Sequence, residues 1–344
     1  MNQVNLPLGP VICDVAGYVL TDAERERLRH PLVGGVILFA RNYRDPEQLA
    51  ALTAEIHALR TPALIISVDH EGGRVQRFRC GFTRLPAMRA LGELWLKDRD
   101  EALASARDTG FVLAAELAER GVDLSFTPVL DLDCGRSEVI GDRAFSGDPE
   151  VVAILAEALS EGLNEAGMGS VGKHFPGHGW AEADSHVAIP KDERDFAAIW
   201  ARDILPYRDG VGAHLAGVMP AHVIYPLVDP NPAGFSPFWI QDVLRQRVGF
   251  NGVVFSDDLT MEGATVVGDI VARARAAHEA GCDMVLVCNR PDLADELLAR
   301  WKPELAAESL ARIAALQPRR VPAVPVERLE AARASVARLI ASDA

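Results

Sequence analysis

Apolar and polar positions alternate along this chain in blocks rather than residue by residue. Short runs of apolar, often β-branched residues recur, and after each run the apolar positions take helical spacing. Near-continuous apolar strands that alternate with helices are typical of a parallel sheet covered on both faces. The runs read GPVICDVAG, GGVILFA, ALIISVDHEGG, VDLSFTPVLDL, GSVGKHF, AGVMPAHV, GVVFSDD and DMVLVCN.

These strand-then-helix pairs, eight in a chain of 344 residues, predict an α/β fold. They favour a (β/α)8 barrel of the TIM type over an open, doubly wound sheet. The segment VERLEAARASVARLIA, near the end, predicts one more amphipathic helix. Because no linker, low-complexity tract or change of composition interrupts the pattern, we expect residues 1–344 to form a single domain.

Charge and cysteine content argue against some classes of binding partner and indicate the cellular compartment. The formal net charge of −14 argues against nucleic acid or an anionic membrane as a partner, and no apolar run approaches a membrane span. The five cysteines are odd in number and form no CxxC pair, which is typical of reduced thiols in the cytoplasm. The N-terminus has no basic stretch before an apolar one, so no signal peptide is expected. The sequence leaves the oligomeric state open, with a monomer as the expectation.

Polar side chains follow five of the predicted strands at the points where the strands end. In a barrel these ends converge on the face that carries the active site. Charged residues also mark where buried strands emerge into water, but that alternative explains one or two such positions more easily than five. The residues are Asp69, His70, Glu71, Asp131, Asp133, Lys173, His174, His222, Asp257 and Asp258.

The segment KHFPGHGWAEADSH concentrates titratable groups, and a metal site is one interpretation. His174, His178 and His186 are its histidines. Two histidines can share a zinc ion from one helix, but Pro176 and the neighbouring glycines interrupt a helix here. No HExxH motif or cysteine cluster occurs either. We therefore predict no metal.

A proton relay is the interpretation that fits the same segment better. Asp184 and His186 lie two residues apart, and a carboxylate beside an imidazole orients the ring and favours its protonated form. Such a pair is a competent general acid. Gly177 and Gly179 suggest a mobile loop that brings this acid to the substrate. The pair DSH alone is common, so an ordinary surface aspartate and histidine remain the alternative.

Five motifs together resemble a known family. SVDHEGGRVQRF, IGDRAFSGDP, KHFPGHG, DSH and GVVFSDDLTMEGA are similar to the bacterial β-N-acetylhexosaminidases of glycoside hydrolase family 3, in particular the single-domain cytoplasmic enzymes that recycle cell-wall fragments. The resemblance implies retaining hydrolysis of terminal β-linked N-acetylglucosamine, without a cofactor. The substrate class would be GlcNAc-anhydromuramoyl peptides.

The resemblance also implies roles for individual residues. Asp257, the aspartate directly after Ser256, would be the nucleophile that forms a glycosyl-enzyme. His186, assisted by Asp184, would be the acid/base, where most glycosidases use a second carboxylate. The expected sugar-binding residues are Asp69, Arg77, Arg143, Lys173 and His174.

Two features depart from the family pattern or from its larger members. His70 stands where glutamine is expected, and its side chain is expected to point away from the sugar. The chain ends soon after the barrel, so the second domain of larger family members is not expected, which argues against the two-domain β-glucosidases. The remaining alternatives are a β-glucosidase or β-xylosidase, a sugar-binding protein without turnover, and a metal-dependent hydrolase.

Overall fold

Eight parallel strands form the centre of the computed structural model, which describes residues 4–182, 190–208, 212, 214–317 and 324–342. Hydrogen-bonded neighbours follow the ring order β4-β3-β2-β1-β8-β7-β6-β5. The strands are β1 (Val11–Asp14), β2 (Val33–Leu38), β3 (Ile65–Val68), β4 (Leu124–Ser125), β5 (Ser170–Phe175), β6 (Leu215–Pro220), β7 (Val253–Asp258) and β8 (Met284–Val287).

The ring closes between β4 and β5 through the residues that follow β4. Val129 forms a parallel bridge with Lys173. Two backbone bonds support the bridge, from Val171 N to Thr127 O at 2.7 Å and from Leu130 N to Lys173 O at 2.7 Å. The predicted (β/α)8 barrel of the α/β class is therefore confirmed, and its strands are the eight that the apolar runs indicated.

Helices cover the outside of the barrel, and acidic caps begin several of them. Asp45, Asp98, Asp148 and Asp269 each accept a hydrogen bond from a backbone N–H of the first turn that follows, which satisfies a donor without an intrahelical partner. The helices are α1 (Asp22–Leu28), α2 (Pro46–His57), α3 (Met88–Trp95), α4 (Arg99–Glu119), α5 (Pro149–Glu165), α6 (Phe196–Ala201), α7 (Leu205–Arg208), α8 (Ile270–Ala280), α9 (Pro291–Arg300), α10 (Ala307–Ala315) and α11 (Val326–Ser342).

Some of these elements differ from the predicted ones. The fifth helical stretch is divided into α6 and α7, and Pro206 stands in the first turn of α7, where a proline without an N–H is tolerated. The stretch after β6 is a π-helix over Phe238–Arg247, and Val248 N bonds Val243 O five residues back at 2.9 Å. The sequence pattern missed α3 and α10.

Shorter elements complete the fold. Single turns of 3₁₀ helix lie at Ala40–Asn42, Gly141–Arg143 and Ala233–Phe235, and a longer one at Glu262–Val267. Within the described residues, no helix has the length and apolar character needed to cross a membrane. The part of the chain that the structure describes also contains three two-stranded pairs outside the barrel: Val4–Asn5 with Arg60–Thr61, His70–Gly72 with Val75–Gln76, and Ile224–Tyr225 with Asp229–Pro232.

Candidate active site

A cavity of about 540 Å³ opens at the carboxyl ends of the barrel strands. Its wall combines residues at the ends of β2, β3, β5, β7 and β8 with residues of the loops after β3 and β4. Six of the predicted site residues line it: Asp69, Arg77, Arg143, Lys173, His174 and Asp257. The topology thus brings together side chains that lie up to 188 residues apart in the sequence.

Cations and carboxylates alternate along one side of this cavity. Arg143 donates to both oxygens of Glu71, from Nε and Nη2 at 2.8 Å each. Lys173 Nζ lies 2.7 Å from Glu71 Oε1 and 2.7 Å from Asp69 Oδ1. Arg77 Nη2 follows at 3.6 Å from Asp69 Oδ2. The charge row formed by Arg143, Glu71, Lys173, Asp69 and Arg77 therefore has three positive and two negative members.

The environment of Glu71 fixes the charges in the row. Burial would raise the pKa of the Glu71 carboxyl, but Arg143 and Lys173 together hold it well below its usual range. Burial would likewise lower the pKa of the Lys173 ammonium, and Asp69 and Glu71 raise it instead. Each buried charge has an opposite charge in contact with it, which is the arrangement that buried ions require.

Arg74 holds the loop that carries Arg143. Its guanidinium donates to Asp142 Oδ1 at 2.9 Å, to Glu138 O at 3.0 Å and to Val139 O at 2.6 Å. Arg143 Nη1 donates to the same Val139 carbonyl at 3.1 Å. The loop after β4 is thus folded by guanidinium-to-carbonyl bonds, and Arg143 approaches Glu71 from a fixed backbone.

A second buried carboxylate, Asp131, lies behind the two histidines of the KHFPGHG segment. Its Oδ2 lies 2.6 Å from His174 Nδ1, and its Oδ1 accepts from His178 N at 2.6 Å. Both side chains of this histidine pair line the cavity, and their ring centroids are 6.0 Å apart. Burial lowers the pKa of His178, so its imidazole is neutral at pH 7.

Asp257 and Asp258 differ in how their carboxylates are held. Asp258 Oδ1 accepts from Thr260 N at 2.9 Å and from Cys288 N at 3.1 Å, and Oδ2 accepts from Thr260 Oγ1 at 2.8 Å. Burial raises the pKa of Asp258 to about 6 in spite of these bonds. Asp257 Oδ1 accepts from Asp258 N at 2.8 Å, and both residues are partly buried.

Two other polar residues at strand ends, His70 and His222, are buried against aromatic side chains. His70 is 1% exposed and packs on Phe78 and Phe82, with ring centroids 5.7 Å and 5.8 Å away. Burial lowers the pKa of His70 to about 3. His70 does not line the cavity. This agrees with the expectation that its side chain points away from the sugar. His222 is buried and stacks on Phe235 at 5.3 Å.

Asp184 and His186, the predicted acid/base pair, lie outside the described residues. The two glycines that suggested a mobile loop lie before them, in a closely packed part of the chain. A Cβ on Gly179 would stand 1.8 Å from Leu132 O, and one on Gly177 would stand 2.8 Å from the Asp203 side chain. Close packing therefore explains why a side chain is excluded at both positions, and the mobile loop stays a prediction.

The sequence prediction missed several residues of the cavity wall. Glu71 follows a predicted strand but received no role in the predicted site, although it is the centre of the charge row. Phe39 lines the cavity, and two guanidinium groups lie near its ring centroid, Arg41 at 4.4 Å and Arg77 at 5.8 Å. Asn289 lines it with a left-handed backbone, φ 60°. The sequence signal that could have identified Phe39 and Asn289 is their position just after β2 and β8.

The described residues contain no group of three or more His, Cys, Asp or Glu side chains arranged to hold a metal ion. All five cysteines have free thiols. Burial raises the pKa of Cys13 to about 12, and the pKa of Cys288 rises for the same reason. Both thiols are therefore protonated at pH 7.

A family match, a relative of similar sequence and a solved structure all indicate the same family for this chain. The family described as Glycosyl hydrolase family 3 N terminal domain matches residues 8–314. A β-hexosaminidase of Aromatoleum aromaticum is 74% identical over 314 residues, covering 91% of this chain and 88% of that relative. The structure of NagZ from Neisseria gonorrhoeae in complex with N-trifluoroacetyl-D-glucosamine is 51% identical, with a TM-score of 0.91, over 98% of this chain and 99% of that chain.

The same Neisseria gonorrhoeae protein has also been solved in complex with a zinc ion, at the same identity, coverage and TM-score. The family match spans the barrel and every motif on which the predicted site rests. The chain therefore belongs to glycosyl hydrolase family 3 and is a glycosidase of the β-hexosaminidase class.

Proposed function

We propose that this enzyme removes terminal, non-reducing β-linked N-acetylglucosamine from peptidoglycan-derived muropeptides during cell-wall recycling. The reaction would proceed with retention through a glycosyl-enzyme on Asp257. The observation that carries this proposal is the position of Asp257 at the end of β7, partly buried in a cavity that the charge row also lines.

Asp257 is the better nucleophile of the two adjacent aspartates for a geometric reason. Thr260 and Cys288 engage both oxygens of Asp258, so attack by Asp258 would break bonds that hold the end of the strand. Asp257 Oδ1 accepts a backbone bond from Asp258 N, which orients the carboxylate at the end of β7. A carboxylate held in this way can attack the anomeric carbon and later leave it.

His186 would act as the acid/base, assisted by Asp184. It would protonate the glycosidic oxygen in the first step and activate water in the second. The proposal for this pair rests on the DSH motif and the family resemblance.

The charge row suits recognition of a neutral sugar. Lysine and arginine donate hydrogen bonds only, and carboxylates accept them, so alternating members offer both functions to neighbouring hydroxyl groups. Asp69, Arg77, Arg143 and Lys173 would bind the sugar together with His174. The NagZ relative from Neisseria gonorrhoeae binds N-trifluoroacetyl-D-glucosamine, an N-acylated glucosamine, which supports N-acetylglucosamine as the sugar.

Two broader proposals accompany the reaction. We propose that residues 1–344 form one catalytic domain, because α11 packs on the barrel helices through Arg328, which donates to Asp108 Oδ1 at 2.7 Å and to Glu165 Oε1 at 2.9 Å. We also propose a cytoplasmic location, which five unpaired thiols support.

A covalent trap tests the mechanism. An activated, fluorinated N-acetylglucosaminide, followed by peptide mass mapping, should label Asp257. Label on Asp258 or the absence of any adduct would contradict the assignment, and the second result would indicate attack by the substrate's own acetamide. The Asp257→Ala variant is the control, and it should form no adduct.

A product assay tests the substrate. Purified muropeptide fragments and chitobiose should be compared with the wild type and with Asp257→Ala. We expect release of N-acetylglucosamine from the muropeptides at a higher kcat/KM than from chitobiose. Hydrolysis of nitrophenyl glucoside in place of the N-acetylglucosaminide would instead favour a β-glucosidase.

A further inference from the structure

We propose that Asp131 is a positioning residue that locks His174 in the tautomer with the proton on Nδ1, so that the Nε2 lone pair faces the substrate. The inference deepens the proposed function and rests on the sugar-binding role given there to His174. Asp131 itself is 1% exposed and does not line the cavity, so it acts through the histidine.

Three hydrogen-bond donors converge on the Asp131 carboxylate. His174 N lies 3.2 Å from both oxygens, and His178 N lies 2.6 Å from Oδ1. The third donor is the ring of His174, whose Nδ1 is 2.6 Å from Oδ2. Two of these donors are backbone N–H groups that cannot change their role. The carboxylate is therefore held from the backbone and presents Oδ2 to the ring from a fixed place.

An ionised carboxylate only accepts hydrogen bonds, so the atom facing it must carry a proton. In a neutral imidazole with the proton on Nδ1, Nε2 is an acceptor. His174 lines the cavity, and the part of the chain that the structure describes offers its Nε2 no hydrogen-bond partner. A lone pair is thus left for a ligand.

The neighbouring lysine explains why an acceptor is needed at this place. Lys173 Nζ contacts Asp69 and Glu71, and it has a third hydrogen to donate. A sugar hydroxyl that accepts this hydrogen must donate its own proton elsewhere. Nε2 of His174, on the adjacent residue, supplies that acceptor. Lysine and histidine would then bind hydroxyl groups with opposite polarity.

The substitution Asp131→Asn reverses this polarity with almost no change of shape. The amide oxygen can keep the two backbone N–H bonds, and the NH2 group then faces Nδ1. Because that group is a donor, Nδ1 must become the acceptor, and the proton moves to Nε2. The histidine stays in place but offers the substrate a donor instead of a lone pair.

Nitrogen NMR of protein labelled with 15N-histidine reads the tautomer directly. The chain has nine histidines, and loss of signals in His174→Ala assigns the ring. We expect the Nδ1–H tautomer in the wild type and a change in the Nε2 resonance on saturation with N-acetylglucosamine. A wild-type ring with the proton on Nε2, or protonated on both nitrogens, would overturn the proposal. No change in Nε2 with the sugar would do the same.

A double-mutant cycle tests the functional consequence. Asp131→Asn should lower kcat/KM for a nitrophenyl N-acetylglucosaminide about tenfold, and it should cost less than about twofold in the His174→Ala background. Equal losses in both backgrounds would mean that Asp131 does not act through His174. The matched control is Asp133→Asn, the same chemical change two residues away, where the carboxylate contacts Arg89 outside the cavity. It should leave kcat/KM unchanged.

The NMR measurement and the kinetic measurement together distinguish failure of this inference from failure of the proposed function. If the wild type does not hydrolyse N-acetylglucosaminides, the proposed function fails, and the tautomer is still measured on the wild type. If the wild type is active but its His174 ring carries the proton on Nε2, only the inference fails. Should Asp131→Asn not fold, the wild-type spectra with and without the sugar decide the question.

Discussion

Glu71 provides the sharpest test of the charge row. The residue is 2% exposed, and its carboxylate accepts from Arg143 and Lys173 at 2.7–2.8 Å. Glu71→Gln keeps the length of the side chain and one acceptor oxygen but removes the charge. Two cations then face each other across a neutral amide. Removing one partner of a buried ion pair costs about 3–5 kcal/mol, and the retained amide oxygen favours the lower end, about 3 kcal/mol.

The shift in melting temperature follows from the size of the protein. An unfolding entropy of about 2.1 cal/mol/K per residue over 344 residues converts a loss of 3 kcal/mol into a decrease in Tm of about 4 °C. Calorimetry measures it, and KM for a nitrophenyl N-acetylglucosaminide should rise in the same variant. Glu182→Gln is the control, because Glu182 lines the rim and pairs with Arg136 while 68% of its side chain is exposed. Exposed pairs contribute up to about 1 kcal/mol.

The same variant has a defined pH dependence. The pKa of Glu71 is lowered in the folded state, so its ionised form stabilises the fold above the unfolded-state pKa of about 4.3. That contribution is lost as the pH falls below this value toward the folded-state pKa. The stability difference between wild type and Glu71→Gln should therefore shrink by about 2 kcal/mol between pH 5 and pH 3. A constant difference across this range in urea unfolding, or an unchanged Tm at pH 7, would refute the argument.

Two further predictions concern the chemical steps. His186→Ala should lose about 10²–10⁴-fold on a natural disaccharide and far less on a dinitrophenyl glycoside, because a good leaving group needs little protonation. Equal losses on both substrates, without rescue by azide, would move the acid role to another residue, with His174 next. Dialysis against EDTA should leave the rate intact, since the proposed mechanism uses only a carboxylate and an imidazole. A large loss restored by zinc would contradict this, and the zinc complex of a relative makes the measurement informative.

The barrel was predictable because its signal is local. A parallel strand buried on both faces needs a short continuous apolar run, and the helix that covers it needs apolar positions at helical spacing. Both signals lie within one strand–helix unit and recur in the next. The elements that were missed have weak local signals: α3 has no side-chain N-cap bond and follows a long loop, and α10 also lacks such a bond.

The pattern of strands alone points to cavity-lining residues only at strand ends. Asp69 directly follows β3, and Lys173, His174 and Asp257 lie near the ends of β5 and β7, so the barrel brings them to one face. Arg77 and Arg143 lie on loops, and only the family resemblance pointed to them. The function of Glu71 depends on partners 72 and 102 residues away, which no spacing within its own segment reveals. The close packing at Gly179 could not be predicted for a similar reason, because the Leu132 carbonyl that excludes a Cβ belongs to another loop.

The proposed function requires the charge row, which consists of ionised side chains, to bind a neutral sugar. A sugar carries no charge, so attraction between whole charges cannot hold it, and each hydroxyl needs a donor or an acceptor of fixed direction. Three cations alone would supply donors but would repel one another in a buried wall. Glu71 and Asp69, placed between them, remove this repulsion and fix the positions of the cations.

The two carboxylates of the row differ in exposure, which predicts different roles. Glu71 is the inner one and is fully engaged, whereas Asp69 retains 23% side-chain exposure where it lines the cavity. We therefore predict that Glu71 supports the cations and that Asp69 binds the sugar, and Glu71→Gln and Asp69→Asn should separate the two roles. The first should lower Tm and raise KM together, and the second should raise KM with a smaller change in Tm. Equal decreases in Tm for both variants would contradict this division.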